Sequence, residues 1–447
     1  MEGIVPKTAF LVYKTWREAR RKDSSWDNLS QIGPYMLIDT LMRAGIKVEF
    51  CSADSAKNYE LILVSLTSNY DILAFAREVF GHPEWKNRKF KVAIGGFGAQ
   101  NPYPIQEYID YVWFGRAENE IVWLVKNRFD VEHPSLMKLP NWKVCKINQS
   151  DKLYPYPIQL HTKAHGKEEI TETIYGCPNK CFYCHYTWAR KYIHTSEHYQ
   201  LKQYSSSQEL DMFNIEQYDP KVARVLVGLD GYSERLRYIV NRKITNENIR
   251  EFVEGISNRT ETKGNAIVLK MYNITGYETE TDADYQEFVD LLNSNFKLKK
   301  RVLLVVHNTP LHPSPCTPIA YAKINMRVNV RKHYGKPIVD KPLLNAFYSH
   351  YQETDYGLLE SLVVERAQAS TQKIFIDIVF NKKLKQLLSD DKIKALSMKH
   401  DLTPLYREYS VHEKLPTWFI EGYMPQDAIR KLRLQMLKKQ GRLAINN

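Results

Sequence analysis

A chain of 447 residues, 43% hydrophobic and 26% charged, is long enough for about three ordinary domains and carries no compositional case for disorder. Six cysteines are too few for a disulfide framework at this length, and a net charge of +12 favours an anionic partner such as nucleic acid without fixing a fold. No uncharged apolar run approaches the roughly 18 residues of a membrane span. The opening MEGIVPKTAFLVYK lacks the order of a secretory signal, so the expected setting is cytoplasmic with no membrane partner.

Over the first third, TAFLVY, IKVEFCS, ELILVSLTS, FKVAIGGFGA and YIDYVWFG read as strands. LSQIGPYMLIDTLMRAG, YDILAFAREVF and AENEIVWLVKN carry apolar residues at helical spacing. The alternation predicts a doubly wound, Rossmann-like α/β domain over residues 1–138, with ligand loops at the C-terminal ends of its strands. Ser65 and Thr67 follow one buried strand, and Gly95, Gly96 and Gly98 follow the next. Glycines there let a large planar ligand approach the backbone, and the hydroxyls can bond its edge; glycine-rich turns are also ordinary in α/β folds.

These two stretches resemble the cobalamin-binding domain, and FGRAENEI, with Gly115 and Glu118, resembles the acidic turn that closes that domain in cobalamin-dependent radical enzymes. The resemblance implies cobalamin at Ser65, Thr67, Gly95, Gly96, Gly98, Gly115 and Glu118. One departure is that the first strand runs into YKTWREARRKDSSW, with no Asp-x-His-x-x-Gly to bring a histidine to cobalt. A corrin without a protein histidine ligand, or a domain that has lost the cofactor, is what that implies.

Residues 139–168 hold no sustained period and read as a linker in which His161 and His165 are solvated. EEITETIYG then reads as a strand, followed directly by CPNKCFYC with Cys177, Cys181 and Cys184. Zinc would want a fourth ligand, for which His185, His194 and His198 are nearby candidates. A cubane iron–sulfur cluster on three thiolates leaves one iron open for a substrate. The C-x3-C-x2-C spacing, with Tyr183 before the last cysteine, resembles that of the radical S-adenosylmethionine superfamily. That resemblance implies a [4Fe-4S] cluster, S-adenosylmethionine as co-substrate and a partial (β/α) TIM-type barrel over residues 169–330.

VLVGLDGYSERLRYIVNRKITNENI and LKMYNITGYETETDADYQEFVDLL resemble successive strand–helix units of the same superfamily. They imply contacts of Tyr183, Asp230, Ser233, Arg235 and Gly276 with S-adenosylmethionine. Tyr232 stands where a glycine is usual and Glu278 where a proline is usual. RVLLVVHNTPLHPSPCTPIAYAK reads as the last barrel strand and a proline-rich turn, with Cys316 a packed or loop cysteine or, as a second reading, a catalytic hydrogen donor.

Residues 331–447 read as a mainly helical region. Its PQDAIRKLRLQMLKK is a basic amphipathic helix whose Arg430, Lys431, Arg433, Lys438 and Lys439 could face nucleic acid or simply solvent. Other basic runs lie at residues 14–22 and 297–301. Three classes stay open: a cobalamin-dependent radical enzyme that methylates a carbon of a nucleic-acid base or nucleotide; a cobalamin-free radical isomerase or lyase acting on a nucleotide, peptide or metabolite; and a non-catalytic zinc and nucleic-acid binding protein. The radical readings imply an electron donor such as flavodoxin or ferredoxin.

Overall fold

Ten residues of uninterrupted burial explain the first sheet: Leu61–Val64, Val92–Ile94 and Tyr111–Trp113 are all interior, and strands covered on both faces read as apolar runs without alternation. The computed structural model describes residues 5–12, 32–162, 166–194, 208–209, 224–259, 266–325, 337–348 and 355–443. The sheet is built from β1 (Thr8–Val12), β2 (Val48–Phe50), β3 (Leu61–Ser65), β4 (Lys91–Gly95), β5 (Tyr111–Trp113) and β6 (Leu136–Lys138) in the order β2-β1-β3-β4-β5-β6. All neighbours are parallel except β5 and β6. Helices α1 (Ile32–Arg43), α2 (Asn69–Val79) and α3 (Ile121–Lys126) complete a doubly wound unit. The turn into α2 is set by Asp71, whose carboxylate accepts the N–H groups of Thr67 at 2.6 Å and Ser68 at 2.9 Å.

The stretch expected as a linker carries structure of its own. β7 (Cys145–Lys146) pairs with a strand near the C-terminus, and β8 (Ile158–Thr162) and β9 (Gly166–Ile170) form an antiparallel hairpin. The strand expected before the cysteines is thereby divided: its first half is β9, and only β10 (Ile174–Tyr175) leads into the cysteine loop. β10 pairs antiparallel with β11 (Ile193–His194), which follows the short helix α4 (His185–Ala189).

A second sheet has the order β12-β13-β14-β15-β17-β16. β12 (Gln208–Glu209), β13 (Arg224–Gly228), β14 (Ile267–Thr275), β15 (Val302–Pro310) and β17 (Leu344–Tyr348) are parallel, and β16 (Pro337–Asp340) is an antiparallel edge. Helices α5 (Glu234–Ile239), α6 (Asn246–Arg259) and α7 (Asp282–Asn293) connect its strands. Along β14 every second residue is buried, and Leu269 and Met271 pack with Phe252, Ile256 and Phe288 of the helices. The opposite face of the same strand carries half-buried Lys270 and Tyr272.

Two sequence expectations are corrected here. β15 is not the last strand of the sheet, and NAFY at the start of the region read as helical is strand β17, because Leu344, Ala346 and Tyr348 alternate into the same core. Beyond it the helical expectation holds: α8 (Asp355–Glu365) and α9 (Gln372–Phe380) pack against the first domain, and α10 (Gln426–Lys439) lies near the C-terminus. Tyr70 donates to the Gly357 carbonyl at 3.0 Å and Asn101 to that of Val364 at 2.9 Å. β18 (Ile420–Glu421) closes on β7. No helix among the described residues is long and apolar enough to cross a membrane.

Candidate functional site

Gly176 and the residues after it must turn tightly, since β10 and β11 return side by side. Gly176 has φ +75°, and a Cβ there would lie 2.5 Å from the Lys191 carbonyl oxygen. From this point CPNKCFYC forms a loop held by its own backbone. Phe182 N–H donates to Val240 O at 2.8 Å, Ile319 N–H to Phe182 O at 3.2 Å, and the Trp188 indole to Cys181 O at 2.8 Å. The Asn241 amide reaches Lys180 O at 2.9 Å. Contacts from α4, α5 and the turn after β15 thus hold the backbone of the loop.

Cys181 is buried, and Cys177 and Cys184 are half-buried. Burial pushes the Cys181 thiol up to about 12, partly offset by the Arg242 guanidinium. A thiolate at that position therefore needs a nearby cation, which an iron centre would provide. Three thiols on one loop suit a metal cluster by donor type, although among the described residues their sulfur atoms do not all lie within 4.8 Å of one another. The donor set fits zinc less well, because His185 is not free to serve as a fourth ligand. Its Nδ1 lies 2.9 Å from Pro315 O and its Nε2 2.8 Å from the Gln100 amide nitrogen, so the ring is a neutral tautomer donating through Nδ1 and accepting at Nε2. Burial lowers its pKa to about 3. His194 is exposed; His165, His198 and the basic run at 14–22 lie outside the described residues, as do the residues following β1 that lack a cobalt-binding histidine motif.

Beside the cysteine loop stand the ends of β13 and β14. Asp230 adopts φ +61°, a left-handed conformation unusual for a non-glycine residue. Leu229 and Asp230 N–H both donate to Tyr272 O, the Tyr277 hydroxyl donates to Asp230 O at 2.7 Å, and Arg242 Nε lies 3.2 Å from the Asp230 carboxylate. Tyr183 is half-buried beside this group; desolvation and then the Asp230 charge raise its pKa. Gly276 turns with φ +92°, and its N–H and that of Tyr277 donate to the Glu280 carboxylate at 2.6 and 3.1 Å. Burial pushes Glu280 up to about 7. Asp230, Tyr183 and Cys181 are thus gathered together, with Gly276 one residue from the tyrosine that holds Asp230.

Ser233 and Arg235 lie elsewhere. Ser233 is fully buried, caps α5 by accepting Leu236 N–H at 3.1 Å, and donates to Asp284. Arg235 makes a bidentate pair with the same Asp284, at 3.1 and 2.5 Å, and reaches Thr279 O at 2.8 Å. Both side chains tie α5 to α7. Cys316 packs under the C-terminal region with its thiol raised to about 12 by burial, as expected of a packed cysteine.

A cavity of about 900 Å³ opens at the C-terminal edge of the first sheet, large for an organic cofactor site, where volumes run to roughly 1,000 Å³. Ser65, Thr67, Gly95, Gly96, Gly115 and Glu118 all line it. Its inner part is apolar, with Phe10, Leu63, Ala93, Leu124 and Phe129, and its far wall is made by Tyr175, His185, Tyr186 and Arg190 around the cysteine loop. The sequence reading missed this wall, although Tyr175 and Arg190 flank the very motif it singled out; nothing local shows that a helix following one domain's loop closes the pocket of another.

The glycines serve the fold in a way that spacing did not reveal. A Cβ on Gly96, where φ is +97°, would lie 2.4 Å from Leu66 O, and one on Gly98 would lie 2.2 Å from Ser68 O. They let the turn after β4 nest on the turn after β3, and Gly98 N–H donates to Leu66 O at 2.7 Å. Gly98→Ala is therefore expected to destabilise the whole chain by about 2–3 kcal/mol through overpacking, measured by denaturant unfolding in the absence of any ligand. An unchanged midpoint would contradict the nested-turn account.

No protein-family model matches the chain. An uncharacterized protein of Methanocaldococcus jannaschii is 23% identical over 350 residues, which cover 67% of this chain and 76% of that protein. Solved structures similar to this chain are those of the cobalamin-dependent S-adenosylmethionine radical enzyme OxsB. With aqua-cobalamin bound, the TM-score is 0.41 at 12% identity, over 66% of this chain and 53% of that one. With aqua-cobalamin and S-adenosylmethionine bound, it is 0.39 at 12% identity over the same shares, 66% and 53%. The apo form gives 0.33 at 10% identity over 98% and 61%. The match thus spans about half the length of the first two solved chains, 53% in each.

Proposed function

We propose that this chain is a radical S-adenosylmethionine enzyme that carries a corrinoid in its first domain and methylates a carbon atom of its substrate. The observation that carries the reading is the single cavity running from the strand ends Ser65, Gly95 and Gly115 to His185, the residue immediately after Cys184. A cofactor in that cavity and a cluster on Cys177, Cys181 and Cys184 would be neighbours, which a joint reaction requires. When bound, the cluster with S-adenosylmethionine supplies abstraction of an unactivated hydrogen atom, and the corrinoid supplies a transferable methyl group.

The chain's own residues hold and shield these groups. The backbone of the cysteine loop from Lys180 to Phe182 is held by α4, α5 and the turn after β15. Asp230, oriented by Arg242 and Tyr277, presents a carboxylate at the end of β13, to which a ribose hydroxyl or an amino group would donate. Gly276 leaves the end of β14 without a side chain at the turn. Phe182 and Trp188, both buried, keep water from the back of the loop.

For the acceptor we propose a nucleotide or nucleic-acid base, on the strength of the +12 net charge. The electron would come from a small acidic carrier of the flavodoxin or ferredoxin kind. Anaerobic purification followed by iron, sulfide and corrin analysis tests the reading against its rivals. A brown protein that retains added hydroxocobalamin is expected. Brown protein that binds no corrin would transfer the chain to cobalamin-free rearrangement or cleavage, and colourless protein with zinc would end the radical reading.

A further inference from the structure

Where the first domain meets the cysteine loop, the cavity wall carries two guanidinium groups arranged around tyrosine rings. Arg116 lies 4.6 Å from the Tyr175 ring centre, and Arg190 lies 5.3 Å from the same ring and 3.8 Å from that of Tyr186. All four residues line the cavity. The Arg116 side chain is only 8% exposed and is clamped by Glu118 at 2.7 Å and Glu172 at 2.8 Å. Those carboxylates have further duties: Glu118 accepts Ala117 N–H at 2.9 Å and Glu172 accepts Tyr154 N–H at 2.7 Å.

After these pairings one nitrogen of Arg116, Nη1, is buried with no hydrogen-bond partner. A buried guanidinium donor without an acceptor is unfavourable, and buried polar groups in native proteins nearly always find one. Arg190, held by ring stacking, adds a second positive charge to the same ring. Glu118 and Glu172 already offset the Arg116 charge, so an anion at this wall would offset Arg190 and supply the acceptor that Arg116 Nη1 lacks. The planar donor fork of arginine suits phosphate oxygens in particular. The apolar inner part of the cavity asks that the anion belong to a larger molecule with an apolar ring.

We propose that Arg116 and Arg190, braced on Tyr175 and Tyr186, form a phosphate subsite at the domain junction of this cavity. The phosphate could be the phosphodiester in the nucleotide tail of a corrinoid or a phosphate of the substrate. The first source rests on the corrinoid reading above; the second does not.

The test is a titration of the full chain with cobalamin and with cobinamide, which lacks the nucleotide and its phosphodiester, followed by absorbance. Inorganic pyrophosphate is then titrated into corrinoid-loaded and unloaded protein by calorimetry. The variants are Arg190→Gln, whose side chain is only partly buried, and Arg116→Gln, which also unpairs two glutamates and is used only if its circular dichroism is unchanged. For a tail phosphate, wild type binds cobalamin at least tenfold more tightly than cobinamide, and Arg190→Gln erases that preference. For a substrate phosphate, both corrinoids bind alike and loaded wild type binds pyrophosphate at least tenfold more tightly than loaded Arg190→Gln.

A cobalamin preference that survives in Arg190→Gln, or corrinoids that bind alike with no pyrophosphate binding that depends on Arg190, overturns the subsite. If neither corrinoid binds wild type, the corrinoid reading fails by itself. Pyrophosphate on the unloaded protein, wild type against Arg190→Gln, then decides the subsite alone: a tenfold loss supports it and no difference overturns it.

Discussion

Alanine at any one of Cys177, Cys181 or Cys184 is expected to remove the iron–sulfur absorbance and to abolish 5′-deoxyadenosine formation, with iron falling from about four per chain to background. Each thiolate would be one of three protein bonds to the proposed cluster, and the adjacent His185 offers no substitute, since both its nitrogens are already engaged. Ser or Ala at Cys51, Cys145 or Cys316 serves as the comparison. Cys51 and Cys145 are buried in the core, and Cys316 is half-buried in the turn after β15 with its Sγ 4.0 Å from Ile420 O; burial raises their thiols to about 12, 11 and 12, and their variants should keep the cluster. A normal cluster spectrum in any single variant of the first group would falsify the assignment.

Arg433→Met is expected to cost about 3–5 kcal/mol of unfolding free energy, the range for removing one partner of a buried ion pair. Arg433 and Glu278 are 0% and 3% exposed and form a bidentate pair at 2.7 and 2.9 Å, with Glu408 at 2.7 Å on the other side of the guanidinium. Removing the arginine leaves Glu278 buried with Gln440, Lys323 N–H and the more distant Arg442 at 3.4 Å. The double variant with Glu278→Gln should recover much of the loss, because the unpaired buried charge is then gone. Denaturant titrations of the two single variants and the double variant measure this; additive losses would contradict it.

The same pair sets a pH dependence. Burial pushes the Glu278 carboxyl up, but the hydrogen bonds and charge of Arg433, with Lys323 N–H and Gln440, outweigh burial and leave it below its ordinary value. A folded-state pKa below the unfolded one stabilises the fold fully above the unfolded value of about 4.5. That contribution is lost as pH falls through the folded value. In Arg433→Met the hydrogen bonds and charge of Arg433 are lost, while Lys323 N–H, Gln440 and Arg442 still act against burial, so the loss of stability on the acid side should shrink.

This pair also shows which charges of α10 are engaged inside the fold, while Lys431 and Lys438 stay exposed. Arg433 is interior, Arg430 pairs with Asp427 at 3.0 Å, and Lys439 donates to Tyr238 O at 2.9 Å while lying 5.2 Å from the Phe182 ring of the cysteine loop. A basic helical stripe in sequence looks the same whether its charges meet water, phosphate or buried glutamates 155 positions away. Glu278, noted as a departure where proline is usual, has its explanation in Arg433.

What the sequence by itself determined are features written in local pattern. Runs such as LILV and KVAI dictate buried parallel strands, the alternation in LKMY marks a strand covered on one face, and three cysteines in eight positions mark the cysteine loop. Tertiary structure decided which of these parts meet. Gly96 and Gly98 fit their turns to carbonyls of Leu66 and Ser68, Ser233 and Arg235 serve Asp284, and Tyr175, His185 and Arg190 close a cavity begun by Ser65 and Gly95. Periodicity records which face of a segment is apolar, whereas partners far apart in the chain are chosen by packing and burial of charge, terms that exist only once the segments have docked.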